Sequence, residues 1–227
     1  MIWIKICGTT NLADAKECVH EGANALGFVF APSPRRMEIP GTAALLAELT
    51  VDVEAVGVFV NEHPRRIGEI VSQVAFTGVQ LHGDEPPEDM KEYRRTLGGR
   101  QIIKTLHARE LLQEGGDEKL ERYLAACGEL DAILLDSGSA DEPGGTGKTF
   151  AWEQVAPMAA KIREAIPLII AGGLTPENVV EAINLFQPWG VDVVSGVEFE
   201  PGKKISTKLR HFIAAVREAE EIVQKTK

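Results

Sequence analysis

Short apolar segments recur along the chain, and in most of them consecutive positions are apolar. Residues 56–60 (Val-Gly-Val-Phe-Val) and 133–135 (Ile-Leu-Leu) show the pattern clearly. Strands buried on both faces, as in parallel sheets, have this pattern, whereas strands with one face in solvent alternate apolar and polar residues. We therefore predict eight parallel strands, at residues 3–7, 25–30, 55–60, 78–82, 101–105, 132–136, 168–171 and 191–195.

Segments with helical periodicity follow these strands. The predicted helices span residues 11–21, 42–48, 64–74, 86–97, 109–126, 152–165, 176–186 and 206–225. This regular alternation, with no long linker, predicts a single (β/α)8 barrel domain over residues 1–227. An open, doubly wound sheet built from the same strands is the weaker alternative.

The composition is that of a globular protein with a small-molecule partner. Hydrophobic residues make up 44% of the chain and charged residues 26%, which excludes disordered and fibrous classes. The 24 Lys and Arg residues against 34 Asp and Glu residues give a net charge of −10. Binding to nucleic acid or to an anionic membrane needs clustered positive charge, so neither partner is expected.

The cysteines and the N-terminus indicate a cytoplasmic location. Cys7, Cys18 and Cys127 are odd in number and far apart, so they predict neither a disulfide framework nor a metal or redox pair. The N-terminal apolar segment is broken at Lys5 and Gly8, too early for a signal peptide. No apolar stretch reaches the roughly 18 to 20 residues that cross a bilayer.

Two candidate proton-transfer residues end predicted strands. In a (β/α)8 barrel the chemistry lies at the mouth, which is the end of the barrel where the strands finish. Cys7 ends the first strand, and a buried, inert thiol is the alternative interpretation. Asp136 ends the sixth strand, where partial burial favours the neutral acid. A role in capping the turn at residues 137–139 is its alternative.

Glycine-rich segments follow the last strands. Gly172 and Gly173 follow the seventh strand, and Ser195 and Gly196 close the eighth, which are the two places where barrels bind phosphate through backbone amides. A simple turn is the alternative at each. Residues 144–149 resemble a nucleotide-binding loop but lack its spacing, so we interpret residues 137–149 as a loop that closes over a ligand or lies on the surface.

The remaining polar candidates are an arginine pair and the histidines. Arg35 and Arg36 follow the second strand and are placed either to bind a carboxylate or to lie in solvent. The histidines have no spacing typical of metal ligands, and His82 stands alone at the end of the fourth strand. No metal and no cofactor are therefore predicted.

Together these strand ends resemble the phosphoribosylanthranilate isomerase family of tryptophan biosynthesis. The resemblance covers nearly the whole chain and depends on residues 5–8, 27–30, 33–36, 56–61, 79–83, 135–137, 144–150, 171–178 and 191–198. It implies a (β/α)8 barrel without a cofactor. The implied reaction is the Amadori rearrangement of N-(5-phosphoribosyl)anthranilate to its 1-deoxyribulose 5-phosphate isomer, and the implied partner is a small phosphosugar.

The resemblance also implies roles for individual residues. Cys7 is the implied general base and Asp136 the general acid; a thiolate at Cys7 needs nearby positive charge, such as Lys5. The implied substrate contacts are Arg36, for the anthranilate group, with Gln80, His82 and Asp192. The implied phosphate site is formed by Gly172, Gly173, Ser195 and Gly196. A monomer and a homodimer are both compatible with such a barrel.

The sequence departs from the family pattern at Thr9, Ala151 and Ile205, none of which is an implied catalytic position. Two alternatives remain open. One is a related barrel enzyme, indole-glycerol-phosphate synthase, whose catalytic Lys and Glu residues find a counterpart only in Lys104. The other is a phosphosugar-binding barrel without proton transfer, against which Cys7 and Asp136 argue.

Overall fold

The computed structural model describes residues 1–49, 52–137 and 152–225, with side chains described as far as residue 221. Eight strands form its central sheet: β1 (Trp3–Ile6), β2 (Ala25–Val29), β3 (Glu54–Phe59), β4 (Gly78–Leu81), β5 (Gln101–His107), β6 (Ala132–Asp136), β7 (Leu168–Ala171) and β8 (Gly190–Val193). They pair in parallel and in sequence order, and β8 pairs with β1 to close a barrel. The predicted barrel is confirmed, and this closure excludes the open sheet.

Helices follow the strands along the chain. They are α1 (Leu12–Glu21), α2 (Ile39–Glu48), α3 (Pro64–Val71), α4 (Met90–Leu97), α5 (Ala108–Leu111), α6 (Gly116–Ala125), α7 (Trp152–Ala165), α8 (Val179–Phe186) and α9 (Ser206–Lys225). Local side chains set several of their ends. The Asn11 side chain accepts a hydrogen bond from Asp14 N at 2.9 Å at the start of α1, and Gly22 ends the helix with φ 104°.

The segment after β5 differs from the prediction of one helix over residues 109–126. The structure has two helices there, α5 and α6, separated by a turn at Gly115, whose φ is 81°. The next residue is held close to α5, because a Cβ on Gly116 would lie 2.0 Å from Leu111 O. Consecutive glycines thus allow a left-handed turn and a close contact that interrupt the helix.

Two strand ends differ by two residues from their predicted positions, whereas the others agree within one residue. β5 continues to His107, two residues beyond its predicted end, which places another ring at the mouth. β8 ends at Val193, and Ser195 begins a short 3-10 turn, Ser195–Val197. The eighth strand was therefore predicted two residues too long.

Alternate residues of the strands face the interior of the barrel. Its apolar filling consists of Trp3, Ala25, Val56, Ile103, Ala132, Leu134, Ile169 and Ala171. The larger core lies between the strands and the surrounding helices. Because side chains alternate along a strand, Lys5 and Cys7 face the interior with Trp3, and Asp136 does so with Leu134.

A small hairpin follows β8 and leads into α9. It consists of β9 (Glu198–Glu200) and β10 (Lys203–Lys204), paired antiparallel. The predicted loop at residues 137–149 lies outside the described residues except for Ser137, and Ala151 also lies outside them. In the part of the chain that the structure describes, no helix has the length and apolar character needed to cross a membrane.

Candidate active site

Cys7 lies at the end of β1, with its side chain turned into the barrel. It is 5% exposed, and its backbone N donates to Val193 O at 2.9 Å. The neighbouring strand has a glycine at the level of the thiol. A Cβ on Gly27 would lie 2.6 Å from Cys7 Sγ, so this glycine makes the space that the sulfur occupies.

A buried ion pair lies one interior layer below Cys7. Lys5 Nζ is 3.0 Å from Asp192 Oδ1, and the two side chains are 0% and 5% exposed. Burial alone would lower the pKa of Lys5, but Asp192 and Cys7 raise it above its ordinary value, so the lysine remains protonated. The structure thus places the positive charge that a thiolate at Cys7 requires.

The Cys7 thiol is subject to opposing influences. Burial raises its pKa above the ordinary value, the ammonium group of Lys5 acts against this, and the carboxylate of Asp192 adds to it. Lys204 contributes a second charge that lowers the pKa. The net shift is upward, so the thiol form dominates in the ligand-free protein at neutral pH.

Asp136 ends β6, next to the ends of β5 and β7. Its partners in register are His107 and Ala171, and its Oδ2 lies 4.0 Å from His82 Nε2. The side chain is 22% exposed, so the carboxyl group lies at the opening of the barrel and not in its core. Among the interior residues at the mouth, β1 and β6 therefore contribute a thiol and a carboxyl group.

The imidazole of His82 is held by polar groups from β4 and β5. His82 Nδ1 is 2.9 Å from Gln80 Nε2 and 3.0 Å from Thr105 Oγ1, and the His107 ring packs edge-on at 5.3 Å between centroids. Burial lowers the pKa of His82 to about 4, although Asp136 acts in the opposite direction. The imidazole is therefore neutral at pH 7.

Sequence reasoning did not single out two residues of this cluster, and Gln80 and His82 differ in how accessible they are. Thr105 and His107 were not singled out, although their alternation with Ile103 puts both on the interior face. Gln80, implied as a substrate contact, is 1% exposed, and its Nε2 forms a hydrogen bond with His82 Nδ1 from the layer beneath the opening. His82 itself is 31% exposed and lies nearer the opening.

The two consecutive arginines lie in different surroundings. Arg35 Nε is 3.0 Å from both carboxylate oxygens of Glu198, and Arg35 Nη2 is 2.5 Å from Glu198 Oε2. The backbone of Arg36 forms an isolated parallel β-bridge with Val29 of β2. Its side chain is 52% exposed, and its Nε lies 3.1 Å from Glu38 Oε1. Of the pair, Arg36 is the one accessible to a ligand.

The loops after β7 and β8 lie against each other at the mouth. Gly172 and Gly173 have φ values of 88° and 67°, in the left-handed region. A Cβ on Gly196 would lie 1.9 Å from Leu174 O, so the second loop approaches the backbone of the first. With Ser195 at the start of its short turn, the four predicted phosphate-binding residues come together in these two adjoining loops.

Lys104 lies outside this site. Its Nζ contacts Glu85 Oε2 at 2.8 Å and Gly83 O at 2.7 Å, and it lies 5.7 Å from the centre of the Tyr123 ring. Because Ile103 faces the interior, Lys104 faces the helices. It cannot serve as a lysine at the mouth, which removes the residue on which the synthase alternative depended.

The described residues contain no group of three or more His, Cys, Asp and Glu side chains arranged to hold a metal ion.

Thr9, a departure from the family pattern, is fully buried; its N donates to Gly27 O at 3.0 Å and its Oγ1 to Ile6 O at 3.4 Å. It thus braces the backbone on either side of Cys7.

Comparisons with known proteins agree with this geometry. The family model described as N-(5'phosphoribosyl)anthranilate (PRA) isomerase matches residues 4–215. The chain is 41% identical over 219 residues to the N-(5'-phosphoribosyl)anthranilate isomerase of Pelobacter propionicus, which covers 96% of this chain and 97% of that protein.

Solved structures of the same kind match over almost all of the chain. The phosphoribosyl anthranilate isomerase of Thermotoga maritima has a TM-score of 0.81 and 39% identity, covering 96% of this chain and 100% of that one. A phosphoribosyl anthranilate isomerase in complex with reduced 1-(o-carboxyphenylamino)-1-deoxyribulose 5-phosphate has a TM-score of 0.78 and 37% identity, with the same coverage. The chain therefore belongs to the N-(5'-phosphoribosyl)anthranilate isomerase family, the isomerases of tryptophan biosynthesis.

Proposed function

We propose that this barrel converts N-(5'-phosphoribosyl)anthranilate to 1-(2-carboxyphenylamino)-1-deoxyribulose 5-phosphate, with Asp136 as the general acid and Cys7 as the general base. One observation carries the assignment. The thiol directly follows β1 and the carboxyl group ends β6 of one closed barrel, and a protonated Lys5 lies beneath the thiol. A pair of proton carriers is what an aldose-ketose isomerisation requires.

The reaction begins at the sugar ring. Asp136 donates its proton to the furanose ring oxygen, the bond from that oxygen to C1 breaks, and the open chain carries a protonated Schiff base. Cys7 then takes the proton from C2, and the electrons of that bond neutralise the iminium nitrogen and form an enolamine. The enolamine tautomerises to the ketone, and Cys7 releases its proton to solvent while Asp136 takes one back, so atoms and charge balance and both groups return to their starting forms.

The substrate would be held at three places around these groups. Backbone amides of Gly172, Gly173, Ser195 and Gly196 face its phosphate, where glycines permit close approach. The exposed guanidinium group of Arg36 suits the anthranilate carboxylate. The neutral imidazole of His82 would add a polar contact at the opening, and the carboxylate of Asp192 would add one from the layer beneath Cys7.

The raised pKa of Cys7 predicts how activity depends on pH. The base must be deprotonated and the acid, Asp136, must be protonated, so kcat/KM follows the fraction of the free enzyme in which both conditions hold. Within the neutral range the thiolate is the minor form, and each step to higher pH increases it. A pH profile of kcat/KM with the same shape in wild type and in the residual activity of Cys7→Ala would contradict a thiol base.

The test is direct conversion of substrate by the purified protein, without added metal or cofactor. Loss of the anthranilate-type fluorescence of fresh phosphoribosylanthranilate measures turnover. Cys7→Ala and Asp136→Ala should each lower kcat by about 10²-fold or more, the usual contribution of an acid or base. Matched controls, Cys127→Ala and Asp117→Ala, remove the same groups from the outer surface and should leave kcat unchanged.

The same experiment distinguishes the binding-only alternative. A folded wild-type protein that binds the reduced product analogue, yet converts no substrate at any pH, would be a phosphosugar-binding barrel. Turnover that survives in Cys7→Ala would instead contradict only the assignment of the base.

A further inference from the structure

Lys204, in the hairpin after β8, is a second buried lysine next to Cys7. Its side chain is fully buried, and its Nζ contacts Cys7 O at 2.5 Å and Glu198 Oε1 at 2.9 Å. An ammonium group removed from water is costly unless it is paired. Here the pairing partner comes from the same hairpin, and the other contact is the backbone of the residue that carries the thiol.

Glu198 binds Lys204 together with Arg35 and Gly202, and we call these four residues the clamp. Its carboxylate, 3% exposed, also accepts hydrogen bonds from Arg35 and from Gly202 N at 3.1 Å. Burial alone would raise the pKa of Glu198, but Arg35 and Lys204 lower it below the ordinary value, so it is ionised at neutral pH. One carboxylate thus joins the loop after β2 to the hairpin that carries Lys204.

The clamp extends to the loop after β1. Lys204 N donates to Asp14 Oδ2 at 2.8 Å, and Thr10 Oγ1 donates to Gly202 O at 2.6 Å. The hairpin is therefore tied to Cys7 itself and to two residues that follow it along the chain. A movement of Lys204 would move the carbonyl of Cys7 and the start of α1 together.

The charged groups that act on Cys7 come from three elements. Lys5 on β1 and Lys204 on β10 favour the thiolate, and Asp192 on β8 opposes it. Asp192 forms an ion pair with Lys5, whereas the pairing partners of Lys204 are Glu198 and, through its backbone, Asp14. Arg35 adds a further positive charge on the far side of Glu198.

We propose that Lys204 is a positioning residue for Cys7: its ammonium group, held by Glu198, fixes the backbone carbonyl of Cys7 and places a buried positive charge beside the thiol. The proposal deepens the proposed function and rests on it, because Cys7 is the base there. Lys204 does not touch the reacting atoms; it acts through the residue that does.

The test follows ionisation of the thiol without any substrate. The ultraviolet absorbance of the thiolate is titrated in wild type, Lys204→Met and Lys204→Gln, each after subtraction of its Cys7→Ser counterpart. The glutamine keeps a donor for Cys7 O but has no charge. Both variants should ionise at higher pH than wild type, with about fivefold less thiolate at a given pH below the transition.

Lys203→Met is the matched control. Lys203 is the neighbouring residue of the same hairpin, but its side chain is 69% exposed and pairs with Glu200. This variant should ionise as wild type does and keep its kcat. In turnover assays both Lys204 variants should lose kcat about fivefold to tenfold with little change in KM.

Outcomes separate this proposal from the proposed function. Unchanged ionisation of Cys7 in a folded Lys204 variant would overturn it, whatever the turnover. Failure of both Lys204 variants to fold would also overturn it, since Lys204 would then have a structural role only. Persistent turnover in Cys7→Ala would contradict the proposed base, while the titration would still report whether Lys204 acts on the thiol.

Discussion

The sulfur of Cys7 occupies the space that a side chain at residue 27 would fill. A Cβ on Gly27 would lie 2.6 Å from Cys7 Sγ, closer than real Cβ contacts, and 3.0 Å from Cys7 Cα. β1 and β2 are parallel neighbours at this level, and Thr9 N donates to Gly27 O at 3.0 Å. The glycine thus sets where the thiol can lie.

Gly27→Ala should therefore displace the thiol and slow the chemical step. An error of about 1 Å in the place of a reacting group costs on the order of 10²-fold in rate, so kcat should fall by that order with a smaller change in KM. Steady-state kinetics measure the split. Gly41→Ala is the control, because Gly41 lies in α2 with nothing within 4 Å of the added methyl group, and it should keep full activity. Equal kcat values for the two variants would contradict the role of Gly27.

Most of the fold could be predicted from the sequence because its strands are buried on both faces. Their continuous apolar runs, such as the one ending at Asp136, identify parallel strands and therefore also the residues at the mouth. The exceptions have local causes. The turn at Gly115 and the contact between Gly116 and Leu111 divide a segment whose apolar periodicity continues on both sides.

The supports of the candidate site could not be predicted in the same way. Lys204 contacts Cys7 across 197 positions of sequence, and Arg35 meets Glu198 across 163. Their sequence neighbours, Lys203 and Arg36, are also basic, so composition does not distinguish the buried member of each pair from the exposed one. Only the closure of the barrel brings the loops after β1, β2 and β8 together, and their contacts determine which basic residue of each pair is buried.

His82 should make the protein sensitive to acid. Its pKa is lowered from 6.5 to about 4 in the folded protein. Between these two values the unfolded chain binds a proton at His82 that the folded protein does not bind. The contribution of His82 to the free energy of unfolding is complete above pH 6.5 and is lost as the pH falls towards 4. Because the imidazole is partly exposed, we expect a loss of about 1 kcal/mol in the free energy of unfolding between pH 7 and pH 5.

Urea unfolding at the two pH values measures this loss. His82→Asn keeps an acceptor for Gln80 but cannot titrate, so its free energy of unfolding should change less between pH 7 and pH 5 than that of wild type. His211→Asn removes an exposed imidazole from α9 and should behave as wild type. The same pH response in His82→Asn and wild type would show that another group is responsible.

The buried pair of Lys104 and Glu85 should be important for stability. The two side chains are each 1% exposed and 2.8 Å apart, and burial lowers the pKa of Lys104 although Glu85 opposes the shift. Lys104→Met would leave a carboxylate buried without its cation, a change that typically costs about 3–5 kcal/mol. Denaturant unfolding at pH 7 measures the loss.

A double variant separates the charge from the hydrogen bonds of this pair. Glu85 Oε1 also accepts from Asn61 N at 2.8 Å and Gly83 N at 3.1 Å, and a glutamine oxygen can keep accepting without a charge. Lys104→Met with Glu85→Gln should therefore recover at least half of the loss. Lys161→Met, on an exposed pair, should cost less than about 0.5 kcal/mol. No recovery in the double variant would mean that packing of the lysine, and not the unpaired charge, caused the loss.

Gly196 should control phosphate binding through the fit between two loops. A Cβ there would lie 1.9 Å from Leu174 O and 3.1 Å from Thr175 Cα, so the loops after β7 and β8 must separate to admit it. Because the backbone at Leu174 cannot move aside as a flexible side chain does, Gly196→Ala should open the proposed phosphate site. Inorganic phosphate should then compete about tenfold less well, and KM should rise by a similar factor while kcat changes less.

Gly128→Ala, at an exposed position with open space, should leave both constants unchanged. If Gly196→Ala folds and binds phosphate as wild type does, the phosphate lies elsewhere at the mouth, and these loops have only a structural role.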